Sequence, residues 1–138
     1  MGGVRLSDGS TIPYGTWKDR IHNAKAIVYG RTAVKLGDMS HVMSVDYCKG
    51  YGMAELAYDP DNIKMLPRQQ HMDWEAKNIE KCLENPYFAE SIRYIADNDK
   101  AGVCWGQWVL KLEAYLEENG EHPLITKLLE YGAREDTD

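Results

Sequence analysis

Apolar side chains recur every three or four residues through most of this chain, a period that predicts helices. The strongest case is residues 105–116. There Trp105, Trp108, Val109, Leu112, Tyr115 and Leu116 stand at i, i+3, i+4, i+7, i+10 and i+11, while Lys111, Glu113, Glu117 and Glu118 take the other side. Gly120 supplies a left-handed stop, and Pro123 opens a last helix with Leu124, Ile125, Leu128 and Leu129 facing inward. Upstream, Ala76, Ile79 and Leu83, with Cys82 beside them, form a seam behind Asp73 as cap. Asn85-Pro86 then restarts a helix carrying Phe88, Ile92 and Ile95.

In the N-terminal half, Thr16 precedes a helix whose buried stripe is Trp17, Ile21, Ala24 and Val28. Arg31 and Lys35 extend the same stripe, with Arg20 on the neighbouring arc. Either the helix breaks or bends at Gly30, or the stripe emerges to present cations, or Arg31 stays inside on a carboxylate. After Gly37, Asp38 or Ser40 can cap a second helix. Tyr47, Tyr51, Ala54 and Tyr58 follow at i, i+4, i+7 and i+11, which on a helix aligns three phenols on one face. Gly50 and Gly52 loosen that segment, a feature compatible with close approach of a backbone or ligand. Packing of the stripe within the core is the competing reading.

Only residues 4–12 carry a strand signal, two short β-compatible runs around the turn Asp8-Gly9. The expected fold is therefore mainly α, an irregular bundle of about five to six helices with a short N-terminal β-hairpin. One domain is expected over 1–138. Its parts are a hairpin flap at 1–15, a Tyr- and Gly-rich helical half at 16–58, a connection at 59–71, a helical half at 72–132 and a loose tail at 133–138.

Composition changes this picture in two places. Thirteen of the fourteen aromatics are Tyr or Trp, side chains suited to surfaces where one edge stays wet. Residues 70–138 hold seven Lys or Arg against fifteen Asp or Glu, a balance of −8, while residues 1–69 stand at +2. An acidic half suits a basic partner, although solvated helix faces account for the same charges. The pI near 5.2 argues against direct nucleic-acid binding. No run nears the ~20 apolar residues of a membrane helix, so no membrane association and a cytoplasmic location are expected. Cys48, Cys82 and Cys104, odd in number and scattered, read as packed thiols.

Candidate chemistry is thin. Asp97-Asn98-Asp99 opens like a calcium loop but meets Ala101 at position five and Trp108 at position twelve. His22, His41, Cys48 and His71 lack the paired spacing of a zinc site, and Gly50-Tyr51-Gly52 lacks the rest of a phosphate loop. No metal, cofactor or catalytic residue is assigned.

The leading expectation is a non-enzymatic protein-binding module. As a small acidic inhibitor or adaptor, it resembles in composition alone the counter-defence proteins of viruses and mobile elements. Its contact residues would be Tyr47, Tyr51, Tyr58, Arg20, Arg31, Lys35, Glu113, Glu117 and Glu118, meeting a partner with a basic or nucleic-acid-binding surface. Self-association into a homodimer is a further expectation. The alternative is a small-ligand or nucleotide-binding protein using Tyr47, Tyr51 and Tyr58 with a nearby Arg. A second alternative is an enzyme using His41 or Cys48.

Overall fold

The computed structural model describes residues 2–32 and 37–133, and the chain divides into two compact units between Pro67 and Arg68. The fold is mainly α. Among the described residues there are seven α-helices, and an antiparallel hairpin lies at the N-terminus.

In the first unit, β1 (Gly3–Arg5) pairs with β2 (Thr11–Pro13), Val4 opposite Ile12. Asp8 shapes the turn by accepting from the Ser10 amide at 2.9 Å, with Gly9 at φ +90°. Helix α1 (Tyr14–Thr32) starts directly after β2, two residues before the expected Thr16 cap. Trp17, Ile21, Ala24 and Val28 form its buried stripe as the spacing predicts. No break occurs at Gly30; the helix continues and Arg31 emerges at the surface.

The expected second helix after Gly37 is replaced by strand β3 (Asp38–His41), which pairs antiparallel with β4 (Ile63–Leu66). This second sheet corrects the expectation of strands at the N-terminus alone. Ile63 and Met65 close a cluster with Ala24 and Val28, against which Met39 and Tyr58 pack, so helix and sheet share one apolar interior. Helix α2 (Val45–Gly50) is capped by Ser44, whose hydroxyl accepts from the Tyr47 amide. It stops at the glycine pair, Gly52 adopting φ +71°, and the chain resumes as 3-10 turns over Ala54–Tyr58 and Pro60–Asn62.

The second unit is built from α3 (Arg68–Ala76), α4 (Ile79–Cys82), α5 (Phe88–Asn98), α6 (Val103–Asn119) and α7 (Pro123–Ala133). Helix α3 starts five residues ahead of Asp73, so Asp73 is interior rather than a cap. The expected continuous seam through Ala76 and Leu83 is interrupted at Lys77, which takes the left-handed conformation at φ +53°. Its neighbours close the end of α3, the Asn78 amide reaching the Asp73 carbonyl at 3.0 Å. Ile79 and Cys82 remain buried, while Ala76 is exposed.

Asn85 accepts from the Tyr87 amide at 2.8 Å, and α5 begins at Phe88 rather than Pro86. Phe88, Ile92 and Ile95 are buried as expected. Trp74, Phe88 and Trp108 meet in one aromatic cluster, Trp74 lying 4.4 Å from Trp108 between ring centroids. In α7 Ile125 and Leu128 face inward, whereas Leu124 is exposed, contrary to its expected place. No helix among the described residues is long and apolar enough to cross a membrane.

At Gly132 a Cβ would overlap the Trp105 ring, so α7 passes α6 where only a hydrogen fits. Gly132→Ala therefore sets helix propensity, worth about 1 kcal/mol in favour of Ala, against overpacking, worth about 1–3 kcal/mol. Packing should win, and urea unfolding should show a net loss of stability; a gain would mean that the ring moves aside freely.

Candidate functional site

The structure divides the expected tyrosine face. Tyr47 and Tyr51 lie one helical turn apart with ring centroids 4.6 Å from each other, and Tyr51 is 51% exposed. Tyr58 goes elsewhere because the chain turns at Gly52: it packs against the Ala24–Val28 cluster, and its hydroxyl accepts from Arg20 at 3.0 Å. The Arg20 guanidinium also lies 5.3 Å from the Tyr58 ring centroid. Arg31 pairs with Asp61 at 3.3 Å across an exposed surface, a contact worth at most about 1 kcal/mol in water. Lys35 lies outside the described residues.

Every residue of the 3-10 turn Ala54–Tyr58 is tied to another segment. Trp17 donates from Nε1 to the Ala54 carbonyl at 2.7 Å, and Glu55 accepts from the Ser7 amide at 3.0 Å. Asn62 donates to the Leu56 carbonyl at 2.9 Å, and His41 Nε2 donates to the Ala57 carbonyl at 2.9 Å. Tyr58 holds Arg20. His41 thus helps to hold the turn through Nε2. Cys48 is buried, and its thiol points to the Met43 carbonyl at 3.7 Å.

Helix α6 carries the other expected contact residues. Cys104, Trp108 and Leu112 are buried, while Glu113, Glu117 and Glu118 are exposed and make no ion pair among the described residues. Between them stands Leu110, 69% exposed, which at about 100° per residue lies about 160° round the helix from both Trp108 and Leu112. Val103, 39% exposed, and Ala114 fall in the same row at i−7 and i+4. Glu117 continues that row, and Glu113 and Glu118 flank it on either side. The result is an apolar stripe on the face opposite the core, with Glu113 and Glu117 towards one edge and Glu118, beside Lys111, on the other. Leu110 is the missed residue; a leucine out of phase with the inner seam was the available signal.

A second feature was not foreseen. Tyr14, 38% exposed at the start of α1, has its ring centroid 5.6 Å from that of Trp17. The Lys18 and Lys49 ammonium groups lie 5.7 and 5.1 Å from the Tyr14 centroid. On sequence alone Pro13 and Gly15 mark a strand end, which hides Tyr14, and Lys49 comes from a different helix. Among the described residues no three His, Cys, Asp or Glu side chains are placed to hold a metal ion. Asp97, at the head of the calcium-like run, accepts from the Tyr131 hydroxyl at 2.8 Å, and Asp99 accepts from the Trp105 amide at 2.9 Å.

Burial pushes the thiols of Cys82 and Cys104 up to about 12, the carboxylates of Asp73 and Asp99 adding to the effect. Thiolate is the reactive form, so alkylation of the native chain by iodoacetamide at pH 8 should leave both unmodified until denaturant is added. Because the folded-state values are raised, their contribution to stability is complete below the ordinary thiol value of 9.0 and is lost as pH rises from there towards 12. Urea midpoints should accordingly fall across that window; rapid native alkylation, or a midpoint that rises, would contradict the burial. No family model, curated protein or solved structure matches this chain.

Proposed function

We propose that this chain is a non-enzymatic protein-binding module, an inhibitor or adaptor, whose α6 outer face receives a basic amphipathic helix of another protein. The observation that carries the reading is Leu110, 69% exposed in a row with Val103 and Ala114 and bordered by three glutamates that make no ion pair among the described residues. An apolar stripe with acidic borders is complementary to a helix with apolar anchors and Lys or Arg beside them. The apolar positions supply the desolvated centre, where most binding free energy concentrates. The glutamates supply encounter rate and discrimination against acidic competitors.

Charge also selects between partners. Two copies of the chain meeting through this face about a two-fold axis would set Glu113, Glu117 and Glu118 against the same residues, so a basic heterologous partner fits better than a second copy. Helix α6, 17 residues long, spans about 25 Å at 1.5 Å per residue, which is enough for a partner helix of several turns.

The test uses a defined probe, a synthetic amphipathic peptide with Leu along one face and Lys on its flanks, followed by fluorescence anisotropy. The peptide should bind the full chain, and its affinity should fall as salt is raised. Leu110→Asp and the triple reversal of Glu113, Glu117 and Glu118 to Lys should each weaken it by at least about tenfold, with circular dichroism unchanged. Equal binding by a Glu-flanked version of the peptide would overturn the reading. So would absence of binding, unaltered affinity in both variants, or a dimer of the free chain that Leu110→Asp dissolves.

A further inference from the structure

We infer that the outer face of α6 accepts its partner helix in one direction, antiparallel to α6. This rests on the binding reading above and adds to it the order of charges that the partner carries. The two edges of the apolar stripe differ. At about 100° per residue, Glu113 and Glu117 lie about 60° and 20° to one side of Leu110, and Lys111 and Glu118 about 100° and 80° to the other. One edge is therefore purely acidic, whereas the other carries a cation and, about two turns or 10 Å further on, an anion.

Beside the mixed edge runs a cleft of about 410 Å³, whose walls include Ala114 of the apolar row, Lys111 and Glu118 on α6, and Lys77 and Glu80 across from them. The far wall is mixed in sign as well, and its Lys77 ammonium lies 5.4 Å from the Trp108 ring centroid, so it adds no surplus charge of either sign. Lys111 and Glu118 make no ion pair with each other or with any other described residue. Both are available to groups of opposite sign on a helix laid along the stripe.

Two opposite charges in fixed order give that edge a polarity. On an antiparallel partner the base that meets Glu118 precedes, by seven residues, the acid that meets Lys111; a parallel partner needs the reverse order. The end of α6 selects between them. Its last turn holds Glu117 and Glu118 and no Lys or Arg, and the helix dipole adds about half a negative charge there. The N-terminus of a partner helix carries the opposite partial charge, so antiparallel placement sets it against this acidic end, whereas parallel placement brings two negative helix ends together. The partner helix therefore carries apolar residues along one face, bases on the flank facing Glu113 and Glu117, and a base followed seven residues later by an acid on the flank facing the cleft.

Two synthetic peptides of identical composition test this, built to that pattern and differing only in whether Lys precedes Glu or Glu precedes Lys on the cleft-facing flank. Calorimetry with the full chain should show the Lys-first peptide binding at least about threefold more tightly, since two exposed pairs turn from attractive to repulsive in the other. A nitroxide at its N-terminus should broaden the amide resonances of residues 116–119 of α6 more than those of 103–106. The exchange Lys111→Glu with Glu118→Lys leaves the net charge unchanged and alters only exposed side chains, so circular dichroism should not change, and the preference between the peptides should reverse. Equal affinities, a preference that survives the exchange, or broadening concentrated at residues 103–106 would overturn the inference and leave the α6 reading in place. Failure of both peptides to bind would overturn the reading and the inference together.

Discussion

The side chain of Asn62, fully enclosed at 0% exposure, makes three hydrogen bonds that the rest of the first unit depends on. Its amide donates to the carbonyls of Met43 and Leu56 at 3.0 and 2.9 Å, and its oxygen accepts from the Met43 amide at 2.8 Å. Its own backbone is equally occupied, accepting from Val42 and donating to Asp59. A buried amide with every group satisfied costs little, whereas each backbone group left without it would cost about 1–3 kcal/mol. Asn62 therefore joins the loop before α2, the 3-10 turn over Ala54–Tyr58 and the start of β4, three segments with no repeating pattern of their own.

That constraint explains where surfaces arise. With the 3-10 turn held by Trp17, Ser7, Asn62 and His41, Tyr58 is drawn to the α1 flank and Tyr47 and Tyr51 are left on α2. The second unit solves a simpler problem. Its aromatic cluster of Trp74, Phe88 and Trp108 anchors α3, α5 and α6, which leaves the far side of α6 free of any structural duty. An exposed leucine by itself is unremarkable in a folded protein. A row of apolar positions opposite a satisfied core, edged by glutamates without ion pairs among the described residues, is more specific, because neither folding nor local pairing accounts for it.

Much of this was legible in the chain. The stripe Trp17, Ile21, Ala24, Val28, the helical positions Phe88, Ile92, Ile95 and the inner seam of α6 follow from period alone, because local geometry and burial agree there. Strands β3 and β4 did not announce themselves: Asp38-Met39-Ser40-His41 neither alternates nor is β-branched, and its pairing is set by a partner strand 26 residues away at Met39–Met65. The Tyr47–Tyr58 stripe kept helical phase across a glycine pair that ends the helix, so period persisted where the backbone did not. Lys77 broke a seam in the same way, since its left-handed conformation is not encoded by a glycine. Of the surfaces, the glutamates of α6 are readable from the sequence, whereas Leu110 is hidden among them because it falls out of phase with the inner seam. The Tyr14 cluster required knowing that Lys49 of α2 folds back on α1.

Under the proposed function the two faces of α6 have separate duties, the inner one folding and the outer one binding. Methyl NMR of the full chain titrated with the Lys-flanked amphipathic peptide reads this directly, since Leu110 and Leu112 sit two residues apart on opposite faces. Saturable shifts are expected at the methyls of Val103, Leu110 and Ala114, with Leu112 and Leu128 unmoved. Shifts confined to the buried methyls, or to the first unit with Leu110 unchanged, would contradict it.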